Sequence, residues 1–94
     1  MMETPKEVLL RTLEDLGAED FEKFKWYLQG VLKDFPAIPK SKLENVNRVN
    51  TVDMMFQTYS INTINVTTIV LVKIHQNVLV QNVSNIIYEP AGKS

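Results

Sequence analysis

Residues 9–25 read Leu9-Leu10-Arg11-Thr12-Leu13-Glu14-Asp15-Leu16-Gly17-Ala18-Glu19-Asp20-Phe21-Glu22-Lys23-Phe24-Lys25. Leu9, Leu13 and Leu16 recur at i, i+4 and i+7, with Leu10 widening the stripe, which is the apolar face of a helix. Upstream, Thr4 suits the N-cap, Pro5 fits N1 where its missing N–H costs nothing, and Glu7 at N3 completes a capping box. Gly17 reads as the stop of this first helix. Glu19 and Asp20 then occupy the first turn of a second helix, where they complement its dipole. Phe21, Phe24 and Leu28 form its apolar stripe, extended by Val31 or Leu32, and Glu22, Lys23 and Lys25 face elsewhere. A link this short makes the two helices close antiparallel neighbours.

Downstream, Gly30, Pro36 and Pro39 break the helical signal and predict a loop ending at Ile38-Pro39. Ser41-x-x-Glu44 reads as a second capping box, opening a short helix through Leu43 and Val46. Thr51 and Asp53 suit the cap and first turn of a fourth helix, with Met55, Phe56 and Tyr59 toward the core. Residues 61–88 carry two patterns at once. Val, Ile and Thr dominate, and Ile64, Val66, Thr68, Val70, Val72 and Ile74 alternate as a strand does. Val66, Val70 and Ile74 also fit i, i+4, i+8, and Leu79, Val83, Ile86 and Ile87 follow a helical spacing. With Asn62 and Asn77 available as N-caps, the reading is two more helices of about thirteen residues. The whole is an all-α bundle of six helices, one of them short.

Ninety-four residues allow one domain at most, here residues 1–90 with 91–94 as a tail or the start of a linker. The 45% hydrophobic fraction is that of a folded chain, and a net charge of −1 exerts no global pull on nucleic acid or anionic membrane. The chain has no cysteine, which favours a reducing compartment. Met1 to Glu7 is acidic with no apolar h-region, so no secretory signal is expected and the location reads as cytoplasmic. Seventeen of the 21 charged side chains lie in residues 1–48; only Asp53, Lys73, Glu89 and Lys93 follow.

No catalytic constellation is legible. Nucleophilic catalysis needs a base beside the nucleophile, and the single histidine, His75, falls at the end of the fifth helix, where it is read as solvated or facing the dipole. Glu14-Asp15 and Glu19-Asp20 are adjacent pairs that diverge by about 100° on a helix and do not converge on a metal. Gly92-Lys93-Ser94 resembles the end of a phosphate-binding loop, but the first glycine of that motif would fall on Ile87. Asn65-Val66-Thr67 and Asn82-Val83-Ser84 match glycosylation sequons without a secretory signal to use them. No cofactor, no metal and no enzyme activity are expected. Trp26 and Tyr27 beside Lys23 and Lys25 read as packing or a protein contact rather than base stacking.

The stretch from Leu9 to Lys25 resembles the opening of a pyrin domain of the death-fold superfamily: two leucines, then L-E-x-L at Leu13-Glu14-Asp15-Leu16, an acidic pair and an F-K pair. Ile38-Pro39-Lys40-Ser41-Lys42-Leu43-Glu44 resembles the family's I-P-R/K segment before its short third helix. Val66-Thr67, Val70-Leu71, Lys73-Ile74 and Leu79 resemble its V-T-x-x-I-L-x-K-I…L pattern. The resemblance runs over about residues 5–88. It implies a six-helix antiparallel death-fold bundle with a short third helix. It also implies a function, homotypic binding to the pyrin domain of an adaptor or receptor in inflammasome-type signalling, with self-association into oligomers or filaments. The implied parent is first a nucleotide-binding leucine-rich-repeat receptor, then an adaptor or inflammatory caspase.

The family pattern carries an acidic face on helices one and four and a basic face on helices two and three. Glu14 matches the helix-one acid, Lys23 and Lys25 the helix-two bases, Lys40 the base after the Ile-Pro and Asp53 a helix-four acid; Glu7 and Asp15 join the acidic set, and Lys42 and Arg48 join the basic set. Opposite signs on different faces make a heterologous, head-to-tail contact that need not close. Departures dilute both faces: Glu22 stands where the basic run begins, and Asn47 and Asn50 stand where acids precede helix four. Weaker self-assembly is therefore expected. Ile69 and Val72 occupy positions where the family carries polar side chains, which suggests a supplementary apolar contact on helices five and six. The alternative reading is a small helical nucleic-acid-binding domain using Lys23, Trp26, Lys40 and Lys42, marked by steeply salt-dependent binding. A secreted helical carrier using both sequons is the third reading.

Overall fold

The computed structural model describes residues 4–88, with the backbone alone described for Asn82 and residues 84–88. The expected tail at 91–94 and the Gly92-Lys93-Ser94 motif lie outside them, as do the side chains of Ile86, Ile87 and, in the second sequon, Asn82 and Ser84. Six α-helices follow in order: α1 (Pro5–Glu14), α2 (Ala18–Tyr27), α3 (Lys40–Leu43), α4 (Arg48–Tyr59), α5 (Thr63–Lys73) and α6 (Asn77–Tyr88). A single 3₁₀ turn, Ser60–Asn62, joins α4 to α5. No strand occurs among the described residues.

The first helix begins as its sequence predicts. Thr4 Oγ1 accepts from the Glu7 N–H at 3.2 Å, and the Glu7 carboxylate accepts from the Thr4 N–H at 2.9 Å, with Pro5 at N1. Leu9 and Leu13 are fully buried, packing α1 against α4 and α6. Phe24, Leu28, Ile38, Leu43, Met55, Val66, Val70, Leu71 and Val83 complete the closed centre. Each fully buried Leu or Phe contributes roughly 1.5–3 kcal/mol.

The strand-like composition of residues 61–74 folds as helix. Of the alternating set, Val66, Val70 and Ile74 are buried, Ile64 and Thr68 are half-buried, and Val72 is half exposed, which is helical periodicity. Its threonines are accommodated by back-bonding, with the Thr67 hydroxyl donating to the Thr63 carbonyl at 2.8 Å and Thr68 to Ile64 at 3.0 Å. Thr63, fully buried at the start of α5, donates to the carbonyls of Ser60 (2.7 Å) and Met55 (3.2 Å), tying the 3₁₀ turn to α4.

Several boundary signals act differently from their reading. Gly17 has φ −68° and ψ 170°, so it is the N-cap of α2 rather than a left-handed stop, and a Cβ there would meet nothing. Ser41 lies inside α3 and Glu44 ends it, so the expected capping box is not formed; Pro39 precedes the helix and its carbonyl accepts from the Lys42 N–H. Val46 lies beyond that one-turn helix. The N-cap of α4 is Asn47, whose Oδ1 accepts from the Asn50 N–H at 2.8 Å, and Thr51 is a buried residue donating to the Asn47 carbonyl. Asn62 makes no side-chain cap because the 3₁₀ turn runs directly into α5, and Asn77 is the first residue of α6. Helix α2 ends at Tyr27, before Val31 and Leu32. Gly30 at φ +114° turns the chain, which returns so that the Ile38 N–H donates to the Leu28 carbonyl at 2.8 Å.

His75 closes α5 in a left-handed conformation, φ 66°. Its N–H donates to the Val72 carbonyl at 3.0 Å, and the Gln76 N–H reaches the Leu71 carbonyl at 2.8 Å, a Schellman closure with histidine where glycine is favoured. Replacing His75 with Gly is expected to raise stability by about 1 kcal/mol in urea unfolding, by relieving the left-handed backbone. A midpoint unchanged or lowered would show that His75 carries no such strain.

Tyr59 is buried edge-on against Phe35, and among the described residues its hydroxyl has no hydrogen-bond partner. Burial pushes its pKa above the ordinary tyrosine value. The unfolded chain thus ionises first, so this group's contribution is intact below roughly pH 10 and is lost as pH rises beyond it. Tyr59→Phe is expected to be neutral or stabilising by up to about 1 kcal/mol at neutral pH. The same variant should show a shallower alkaline loss in pH-dependent unfolding.

Candidate interaction surfaces

On the acidic side, Glu7, Glu14 and Asp15 are exposed along α1 and its C-cap. Asp53 of α4 is half exposed and paired with Lys6 of α1 at 3.1 Å, so the two acidic elements are joined by an ion pair that neutralises one of the four acids. Lys6 also stands 5.9 Å from the centre of the Phe56 ring. Toward the other end of α1, Leu10 and Glu14 line a shallow depression with Asn47, Arg48 and Val49 of the α4 start.

On the basic side, Lys23 of α2 and Lys40 and Lys42 of α3 are exposed. Lys25 is not. Only 4% of it is accessible, and its ammonium pairs with Glu22 at 2.9 Å, lies 4.7 Å from the Phe21 ring centre, and approaches the Leu43 carbonyl at 3.4 Å. The expectation that Lys25 faces away from the apolar stripe is corrected. Phe21, Phe24, Lys25 and Leu28 fall at i, i+3, i+4 and i+7, so the spacing itself places Lys25 on the buried side. Glu22, which interrupts the basic run, balances this inward charge. Through the Leu43 carbonyl, Lys25 also holds α3 against α2.

Arg48 is turned inward in the same way. Its Nε donates to the Leu13 carbonyl at 2.7 Å and its Nη2 to the Leu16 carbonyl at 2.8 Å, while the guanidinium lies 4.5 Å from the centre of the Phe21 ring. It adds a second donor to the Leu13 carbonyl, which also accepts from the Leu16 N–H, bonds the Leu16 carbonyl just past α1, and places its charge at the negative end of that helix. Arg48 therefore sits at the α1–α4 depression rather than with Lys23, Lys40 and Lys42. A further polar tie, Gln76 Nε2 donating to the Asp20 carboxylate at 2.7 Å, fastens the α2 start to the α5–α6 turn.

The apolar surface includes Trp26 (55% exposed), Val49, Val72, Val78 and Ile61, and Ile69 is half-buried. Among the described residues, no group of His, Cys, Asp or Glu is placed to hold a metal, and no helix is long and apolar enough to cross a membrane.

A family model described as the PAAD/DAPIN/Pyrin domain matches residues 8–81. The chain belongs to the pyrin-domain family. It is 39% identical over 61 residues to human Pyrin, a match covering 63% of this chain and 8% of that much longer protein. The solution structure of the pyrin domain of human Pyrin superimposes with a TM-score of 0.77 at 32% identity, covering 93% of this chain and all of that one. The fold is thus the all-helical death fold, and pyrin domains are protein-interaction modules that bind one another homotypically.

The two inward cations distinguish structural from surface charge in this pyrin domain. Arg48→Ala is expected to cost about 2–3 kcal/mol in urea unfolding, because two charge-assisted bonds to carbonyls are lost. Glu14→Ala and Lys23→Ala, at exposed positions, should each change stability by less than about 0.5 kcal/mol.

Proposed function

We propose that this chain is a non-catalytic recruitment domain that binds the pyrin domain of an adaptor or receptor in inflammasome-type signalling in the cytoplasm. Its partners are proteins; it works without a cofactor, nucleic acid or membrane. The observation that carries this reading is the pyrin-domain match over residues 8–81, and the exposed charges offer it a contact. Glu7, Glu14 and Asp15 stand exposed on α1 and its C-cap among Lys6 and Arg11, and Lys23, Lys40 and Lys42 stand exposed on α2 and α3 among Glu19, Glu22 and Glu44. Such surfaces meet head to tail, and the contact leaves each copy with one unused face, so it extends into a filament.

Assembly of this chain alone is weak on this reading. Lys6 occupies Asp53, Glu22 occupies Lys25, and Arg48 is turned to the carbonyls of Leu13 and Leu16, so fewer charges remain for a partner. The domain is expected to stay monomeric at roughly tens of micromolar in physiological salt. Spontaneous filaments at low micromolar concentration would contradict that. Mixed with a pyrin-containing adaptor, it should seed filaments visible by electron microscopy. Glu14→Arg and Lys23→Glu should each abolish seeding while leaving the thermal midpoint unchanged; seeding that survives both reversals removes the charged-face reading.

A further inference from the structure

We infer that the segment between α2 and α3 covers a site for a small, neutral aromatic molecule carrying one hydrogen-bond acceptor, with the Tyr59 hydroxyl as its floor. The inference is independent of the charged surfaces above. Tyr59 ends α4 and is 4% exposed, and among the described residues its hydroxyl is shut off from water without a partner. An unmatched buried donor is costly, and folded chains match nearly all of them. The Phe35 ring stands edge-on to the Tyr59 ring, with 6.3 Å between centres. Phe35 fills aromatic space but offers the hydroxyl no acceptor. What Tyr59 lacks is a ring of that size that brings an acceptor with it. The occupant is neutral, because a charge beneath the segment would lose its hydration.

The cover is built to move. Leu28 and Ile38 are buried at its two ends, and the Ile38 N–H donates to the Leu28 carbonyl at 2.8 Å, closing a neck. No residue of 29–37 is buried, and Leu32 and Phe35 are the half-buried side chains that pack it on the core. Within it the Phe35 N–H reaches the Leu32 carbonyl only at 3.4 Å. Gly30 turns the chain at φ +114°, and Pro36 has no N–H to give. So lightly held a segment opens at a fraction of the free energy of global unfolding. Opening takes Phe35 off Tyr59 and frees the hydroxyl, and a ligand that takes the ring's place holds the segment open. Pro39 alone separates the neck from Lys40, the first residue of α3, so an occupied site bears on the placement of the exposed Lys40 and Lys42.

The test compares acetophenone, whose ring carries a carbonyl, with cumene, which has the same branched shape and no acceptor. Each is titrated into the intact chain labelled with nitrogen-15, and binding is read from amide shifts. Acetophenone should bind at a roughly millimolar Kd, as its size allows, and shift the amides of Leu32, Phe35, Ile38 and Tyr59. Tyr59→Phe should weaken acetophenone about five-fold and leave cumene unchanged. Phe35→Ala should tighten both, because the seat no longer has to be emptied. The inference is overturned if acetophenone shifts none of these amides, or if Tyr59→Phe affects the two probes equally. Weaker binding of both probes to Phe35→Ala overturns it too, since Phe35 would then not hold the seat. A lowered urea midpoint for Tyr59→Phe would show that the hydroxyl already has a partner in the closed state, and has the same consequence.

Discussion

The end of α1 is where this bundle is fixed, and the Arg48 guanidinium fixes it. A helix ends with carbonyls that have no partner in the helix, and beside a closed core water cannot satisfy all of them. Arg48 reaches across from the first turn of α4 to the carbonyls of Leu13 and Leu16 and packs over Phe21 of α2. One side chain thereby sets the relative position of three helices, and with them the position of every charge that α1 and α4 present. Lys25 does the corresponding work on the other side, joining α2 to the one-turn α3 through the Leu43 carbonyl. Because α3 has no side-chain cap of its own, the exposed Lys40 and Lys42 owe their placement partly to a lysine that is itself out of sight.

Elements with a single strong pattern were legible in the sequence. The capped leucine stripe of α1 and the paired phenylalanines of α2 admit only one period, and both helices stand where that period puts them. The boundaries that misled share a cause: a signal was read for the residue type, while the backbone used a neighbour. Gly17 looked like a stop, yet its φ is one that any residue adopts, and the turn is made by the chain passing from Asp15 to an extended residue. Asn47 caps α4 without the glutamate that makes a capping box recognisable, so Thr51 drew the boundary four residues late. In α5 composition argued for a strand while the i, i+4, i+8 spacing argued for a helix, and burial on one helical side, with hydroxyls bonding back one turn, bears out the helix.

The charged surfaces were legible in type and less so in position. Charge reads from sequence as a surface property, and for Glu7, Glu14, Asp15, Lys23, Lys40 and Lys42 exposure agrees. Lys25 and Arg48 depart because each has an internal acceptor that a linear sequence does not display: a carboxylate three residues back with a carbonyl from α3, and two carbonyls from a helix more than thirty residues away. The Lys25 placement could have been found, since Glu22-x-x-Lys25 is an ion-pair spacing and position 25 falls within the aromatic stripe. Arg48 carried no comparable local signal.

This division of charge changes how a homotypic surface should be weighed. Charges locked into the fold give orientation and stability but have nothing left to gain from a partner. What remains exposed on each face is sparse, screened by salt and weak on its own. Affinity must then come from area that a partner can take out of water, and on a chain with so closed a centre that area lies in the apolar side chains left at the surface. Trp26, on the same helix as the exposed Lys23, is the largest of these. Charge selects which faces meet, while the apolar area withdrawn from water determines how long they stay together.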